Sequence, residues 1–217
     1  MFLTLVLIGF LAVATIVSVR WVLTRVDVLG RVGPFPKISV GLCLAVAVGC
    51  AVPLGLHARL EHRLQDGASQ VAGGSVAVHC QTAGETWTDL GSELGYVRWT
   101  AEGVPERRTV IKYRVCGDLR SWLSSDKRDP GEDQVVAVHV LSHETMHMVG
   151  IDNEAQAECA ALQRDAEMAE ALGATPTEAQ ALAHRYWVEV YPRMPDGYTG
   201  GCGPDSRWDE HLALAPW

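Results

Sequence analysis

Two histidines and a glutamate stand at a spacing that can do hydrolytic chemistry: His143-Glu144-Thr145-Met146-His147. Residues i and i+4 share one face of an α-helix, so both imidazoles can converge on one ion. Zinc accepts histidine nitrogen at about 2.0–2.1 Å in a tetrahedral shell. Glu144 projects beside such an ion without ligating it. There it can take a proton from a water whose pKa the ion lowers toward ~7. The pattern should arise by chance in about 2 of 100 chains of this length and composition. The candidates for a third ligand are Asp152, Glu154 and Glu158. Glu154 and Glu158 are also i and i+4, so both can face the histidine helix. One can bind the ion while the other fixes a histidine ring through its second nitrogen.

These side chains need a helical hairpin to carry them. From about Glu132 to Val149 the pattern is helical, with acidic residues at the start and Gly150 as a C-terminal cap. Asp152 or Asn153 can cap a second helix that ends at Gly173. The turn between them is short, so the two helices should pack antiparallel. A third helix opens at Thr175-Pro176-Thr177-Glu178, a capping box with Pro at the first helical position, and runs to about residue 191. It carries His184, Tyr186 and Tyr191. Each could stabilise an oxyanion or serve in the core. His139, one turn before His143, could line the site or be a buried structural histidine. Trp99, Trp122 and Trp187 are expected as core anchors and His211 at the surface. Upstream, SVAVHCQ (75–81), GYVRWTAEG (95–103) and RRTVIKYRVC (107–116) have strand composition, and LRSWLSS suits a short helix. The tail from Pro192 is rich in Gly and Pro, as a long loop should be. The expected fold class is α+β: a small antiparallel sheet with a three-helix core.

The stretch His143–His147 followed by Glu154-Ala155-Gln156-Ala157-Glu158 resembles the gluzincins, the thermolysin-like branch of the zincin metallopeptidases. It bears a looser likeness to small actinobacterial membrane proteins with such a hairpin. The resemblance covers about 20 of 217 residues. It implies a Zn2+ cofactor held by His143, His147 and Glu154, with Glu158 supporting a histidine and Glu144 as the catalytic base. This chain has Glu158 where that family has Asp, and six residues between His147 and Glu154 where the family has a longer insertion. The reverse assignment, Glu158 as ligand, therefore stays open. His147-x-x-Gly150 also resembles the metzincin pattern, but Asn153 stands where that family has its third histidine.

The first 56 residues differ from the rest. Residues 1–19 carry no charge, and 38–56 are a second apolar run of the same length. At ~1.5 Å per residue each makes a helix of about 29 Å, near the thickness of the hydrocarbon layer. No basic n-region or small-residue cleavage site marks the first run as a signal peptide. Residues 1–56 are thus read as a two-helix membrane anchor, 57–73 as a juxtamembrane linker and 74–217 as the soluble domain. The loop 20–37 carries four basic residues against one Asp, which places it in the cytoplasm. The chain is then a multi-pass protein of the cell membrane with its C-terminal domain extracytoplasmic.

Cysteine usage agrees with that compartment. Cys43 and Cys50 lie in the second span, which leaves Cys80, Cys116, Cys159 and Cys202. Four cysteines allow three pairings. Cys80–Cys116 around the strands and Cys159–Cys202 tying the tail to a helix are the favoured pair. A four-cysteine zinc site is disfavoured because no Cys-x-x-Cys occurs. Residues 57–217 keep 14 of the 18 Lys and Arg but 25 of the 26 Asp and Glu, a net charge of −11. No nucleic-acid partner is expected on such a surface. The partners expected are a peptide or protein substrate and membrane lipid. The expected function is hydrolysis of peptide bonds in extracytoplasmic proteins or peptides. The alternative is an inactive, zinc-stabilised binding or scaffold domain at the membrane surface.

Overall fold

Apolar residues surround the first helix on every side, and they form one uninterrupted rod, α1 (Phe2–Thr24). The computed structural model describes residues 2–217. The second apolar run opens α2 (Lys37–Val71), which continues through Pro53. Both helices are long and apolar enough to cross a membrane. Between them Asp27 Oδ1 accepts the amides of Leu29 and Arg31 and closes a tight turn.

The chain divides into two compact units, with the boundary between Arg59 and Leu60. The stretch expected as a linker is therefore different in kind. It is helical to Val71, and from Leu60 onward it belongs to the second unit. Leu60, Leu64 and Ala68 recur at i, i+4 and i+8 and are buried in that unit's core. Such a stripe makes a helix a core element rather than a tether.

The second unit holds a three-stranded sheet: β1 (Ala77–Cys80), β2 (Gly95–Trp99) and β3 (Pro105–Ile111), in the order β1-β3-β2. It corrects the expected antiparallel sheet, because it is mixed. β2 and β3 pair antiparallel across a short turn, whereas β1 pairs parallel with β3. The short turn dictates the first direction. The long segment from Gln81 to Leu94 leaves the other free, and side-chain alternation carries no sign of direction. The third strand also ends earlier than its composition suggested. Residues 113–116 already belong to α3 (Tyr113–Ser124), so Cys116 is helical.

α4 (Glu132–Met148) is the centre of the unit. From Ala137 to Met148 every residue is buried. α4 packs on β2 and β3 and against α3, α5 (Glu154–Leu162) and α6 (Asp165–Ala171). α5 and α6 were expected as one helix. The chain breaks at Gln163 and Arg164, without Gly or Pro. Gln163 Nε2 donates to the carbonyls of Cys159 and Trp208, and Arg164 pairs with Glu210 of the tail. Docking of the tail thus competes with a straight helix. α7 (Pro176–Arg185) starts with the expected capping box at Thr175 and Glu178. It widens into a π-turn at Tyr186–Val190 and tightens to a 3₁₀ turn at Tyr191–Arg193. The tail is loop except for α8 (Asp196–Thr199). The disulfides Cys80–Cys116 and Cys159–Cys202 form as expected. Trp122 is fully buried, whereas Trp99 and Trp187 are only partly covered.

Candidate metal centre

The last two turns of α4 and the first turns of α5 face each other across a short hairpin. Gly150 makes the hairpin possible, because its φ of +109° suits a residue without a side chain. The turn brings the Ile151 carbonyl back beneath His147, 2.6 Å from Nδ1. Nδ1–H donates there and leaves the Nε2 lone pair free. His143 is set in the same way by a carboxylate: its Nδ1 lies 3.0 Å from Glu158 Oε2. Both Nε2 atoms then point into one space, 3.0 Å apart. Glu154 Oε2 completes a triangle, 3.1 Å from His143 Nε2 and 3.5 Å from His147 Nε2.

Two imidazole lone pairs and a carboxylate oxygen repel one another at this separation unless a cation lies among them. The edge of a tetrahedron built on bonds of about 2.0–2.1 Å is about 3.3–3.4 Å. The donor set fits a small divalent ion, and these His and Glu side chains could hold one. Without an ion a proton fills the role. Burial pulls the His143 ring down, but its bonds to Glu154 and Glu158 outweigh that and lift it to about 9. The bonds from His143 and His147 hold Glu154 down at about 2.

Glu144 stands beside the triangle and outside it. It is 5% exposed and lines a cavity of about 390 Å³ together with His143, His147 and Glu154. Burial raises its carboxyl to about 7, against the opposing charges of His143 and His147. Thr109 Oγ1 on β3 lies 3.4 Å from its Oε2. Gly95 on β2 backs it so closely that a Cβ there would sit 2.9 Å from Glu144 Cγ. No family model matches this chain, and no curated protein or solved structure matches it.

Glu158 is buried and meets His143 at the nitrogen that faces away from the triangle. Its Oε2 accepts from both His143 and His139, and its Oε1 accepts from Tyr186. The hydroxyl of Tyr186 is thus spent on Glu158, although its ring borders the cavity. His184 is elsewhere: it is exposed, and its Nδ1 donates to the Pro216 carbonyl. Tyr191 is buried beside Trp187, with ring centroids 5.0 Å apart. Asp152 lines the cavity but is no part of the triangle. His211 is exposed on the tail.

Four residues had no signal strong enough in the sequence. Thr109 and Gly95 look like ordinary strand residues. Asp165 lies in what reads as a continuous helix. Tyr198 sits in a Gly- and Pro-rich tail, yet its ring stands 5.9 Å from that of His143. The Cys159–Cys202 pairing was the available clue, since it must lay the tail against α5.

Proposed function

We propose that this chain is a membrane-anchored, zinc-dependent peptidase of the zincin type. The observation that carries the proposal is the triangle of His143 Nε2, His147 Nε2 and Glu154 Oε2, with Glu144 beside it. Two imidazoles and one carboxylate suit zinc better than magnesium or calcium, which take oxygen ligands. A zinc ion held there supplies Lewis acidity toward water and toward a peptide carbonyl. Glu144 is suited to accept a proton at its carboxylate and return it to a leaving amine, because burial poises it near neutrality. Glu158 keeps the His143 ring turned toward the site.

An extended peptide suits the cavity. β2 is an edge strand and lends Gly95, Tyr96, Val97 and Trp99 to the wall. A peptide can add to such an edge as a further strand, with its side chains among Val136, Val140 and Met194. The two apolar helices, the basic loop between them and the two disulfides support an extracytoplasmic position for the domain.

The test uses the full chain in detergent micelles, with metal content measured and a mixed peptide library as substrate. One zinc per chain is expected, lost in His143→Ala. Cleavage should disappear in His143→Ala and in Glu144→Gln, while Glu144→Gln keeps its zinc. Zinc without cleavage in the native chain would replace the peptidase by a zinc-stabilised binding domain. No bound metal would remove both.

A further inference from the structure

Beneath the triangle lies a row of buried groups that the proposed chemistry does not itself use. Asp165 Oδ2 is 2.8 Å from His139 Nδ1, and His139 Nε2 is 3.0 Å from Glu158 Oε2. The same Glu158 oxygen is 3.0 Å from His143 Nδ1. His139, Glu158 and Asp165 are 2%, 1% and 0% exposed.

We propose that His139 and Asp165 are positioning residues that lock the His143 ring with its Nε2 lone pair toward the metal. The proposal rests on His143 being a metal ligand.

The order of donors and acceptors carries the inference. His139 lies between two carboxylates and donates from both nitrogens, Nδ1–H to Asp165 and Nε2–H to Glu158. Tyr186 O–H fills the other oxygen of Glu158 at 2.9 Å. Glu158 thus meets donors at both oxygens and is held as a pure acceptor. A pure acceptor beside His143 Nδ1 admits only the tautomer protonated at Nδ1. Remove His139 and Glu158 loses a donor in a dry site. Its Oε2 is then no longer aimed at His143 Nδ1, and the His143 ring is free to take the other tautomer. Nε2 would then carry the proton and could not ligate.

Charge and packing agree with this order. Burial alone would empty His139 of its proton, but the charges of Asp165 and Glu158 outweigh it and lift the ring to about 10. Tyr186 stacks on His139 with centroids 3.7 Å apart and fixes the ring plane. The break between α5 and α6 is what places Asp165 at the first position of a new helix, against α4.

Three variants of the full chain test it, each read by zinc affinity from chelator competition. His139→Phe keeps the stack on Tyr186 and removes both nitrogens. His139→Phe with Asp165→Leu does the same without stranding a buried carboxylate. His139→Gln returns an N–H near the Nε2 position. The first two should bind zinc at least tenfold more weakly, within the range usual for outer groups of metal sites, and His139→Gln should stay within about threefold of the native chain. A folded double variant with native affinity would overturn the proposal, and so would a His139→Gln as weak as His139→Phe. If the variants do not fold, nitrogen-15 NMR of the native zinc-loaded chain decides. His139 must be protonated at Nε2 and His143 at Nδ1, and the opposite tautomer at either ring is fatal. A native chain that binds no zinc would instead defeat the peptidase reading itself.

Discussion

The Nε2 atoms of His143 and His147 lie 3.0 Å apart, with the other nitrogen of each ring bonded to an acceptor. Only a shared cation makes that arrangement favourable, and a proton and a metal ion compete for the place. In the metal-free protein His143 is lifted to about 9 from its ordinary 6.5. A raised folded-state value means its stabilisation is full below pH 6.5 and fades as pH rises through 9. Glu154, lowered from 4.5 to about 2, contributes fully above pH 4.5 and loses its part as pH falls through 2. Metal-free protein should therefore be most stable between about pH 4.5 and 6.5. Metal binding displaces the proton, so the gap in Tm between zinc-loaded and chelated protein should widen from pH 6 to pH 9. A gap that does not change with pH would contradict the shared site.

Glu154 and Glu158 should answer differently to the same substitution. Glu154 keeps half its side chain in solvent and pairs with the two histidines. Glu154→Ala should lower zinc affinity by orders of magnitude and cost the half-exposed, metal-free site much less stability than the loss of Glu158 would. Glu158 is buried beneath three donors. Glu158→Ala leaves them without an acceptor and should cost about 3–5 kcal/mol of stability, with or without metal. Thermal melts of both variants in chelator decide the point. If Glu158→Ala were the benign one, the two roles would have to be exchanged.

The hairpin was legible in the sequence because its signals are local. The spacing of His143 and His147, the stop at Gly150 and the capping box at Thr175 each depend on neighbours within four residues. The disulfide pairing followed from where strands and helices lay. What could not be read depends on distant partners. The parallel pairing of β1 with β3 needs to know where a long loop returns. The break at Gln163 needs Trp208 and Glu210, more than forty residues away. Asp165 was hidden by that break, and Tyr198 by the Gly- and Pro-rich tail around it. His139 was legible as a buried histidine, but its partners were not.

Gly95 leaves no room for a side chain, because a Cβ would stand 2.9–3.0 Å from Cγ, Cδ and Oε1 of Glu144. Gly95→Ala should push the carboxylate off its place beside the metal triangle. A displacement of about 1 Å at such a group costs up to 10²-fold in rate. Peptide hydrolysis should fall between tenfold and a hundredfold, with the zinc content unchanged. Native activity in this variant would mean that Glu144 is free to move and that β2 does not hold it.

The end of α2 belongs to the folded unit, since Leu64 is fully buried and Leu60 nearly so. Leu64→Ala should cost about 2–5 kcal/mol, the range for a buried leucine that leaves a cavity. A fragment that begins at residue 74 loses Leu60, Leu64 and Ala68 together, so it should melt well below one that begins at residue 58. Equal melting temperatures for the two fragments would return residues 58–73 to the role of a linker.

Tyr198, in α8, lines the cavity that β2 also lines, and the Cys159–Cys202 disulfide ties the segment just after α8 to α5. Its ring lies 5.9 Å from that of His143. Burial, with Glu154 and Glu158 adding to it, raises its hydroxyl, so it stays protonated and can donate. A donor so placed can stabilise negative charge that develops on a substrate carbonyl, a role worth about 10²–10³ in kcat. Tyr198→Phe should lower kcat on that scale while KM and zinc content hold. Cys159→Ala with Cys202→Ala frees that segment. It should lower kcat similarly and raise KM, because the wall itself loosens, and it should cost about 2–5 kcal/mol of stability. Full activity in Tyr198→Phe would remove the hydroxyl from the chemistry and leave the segment as a binding wall only.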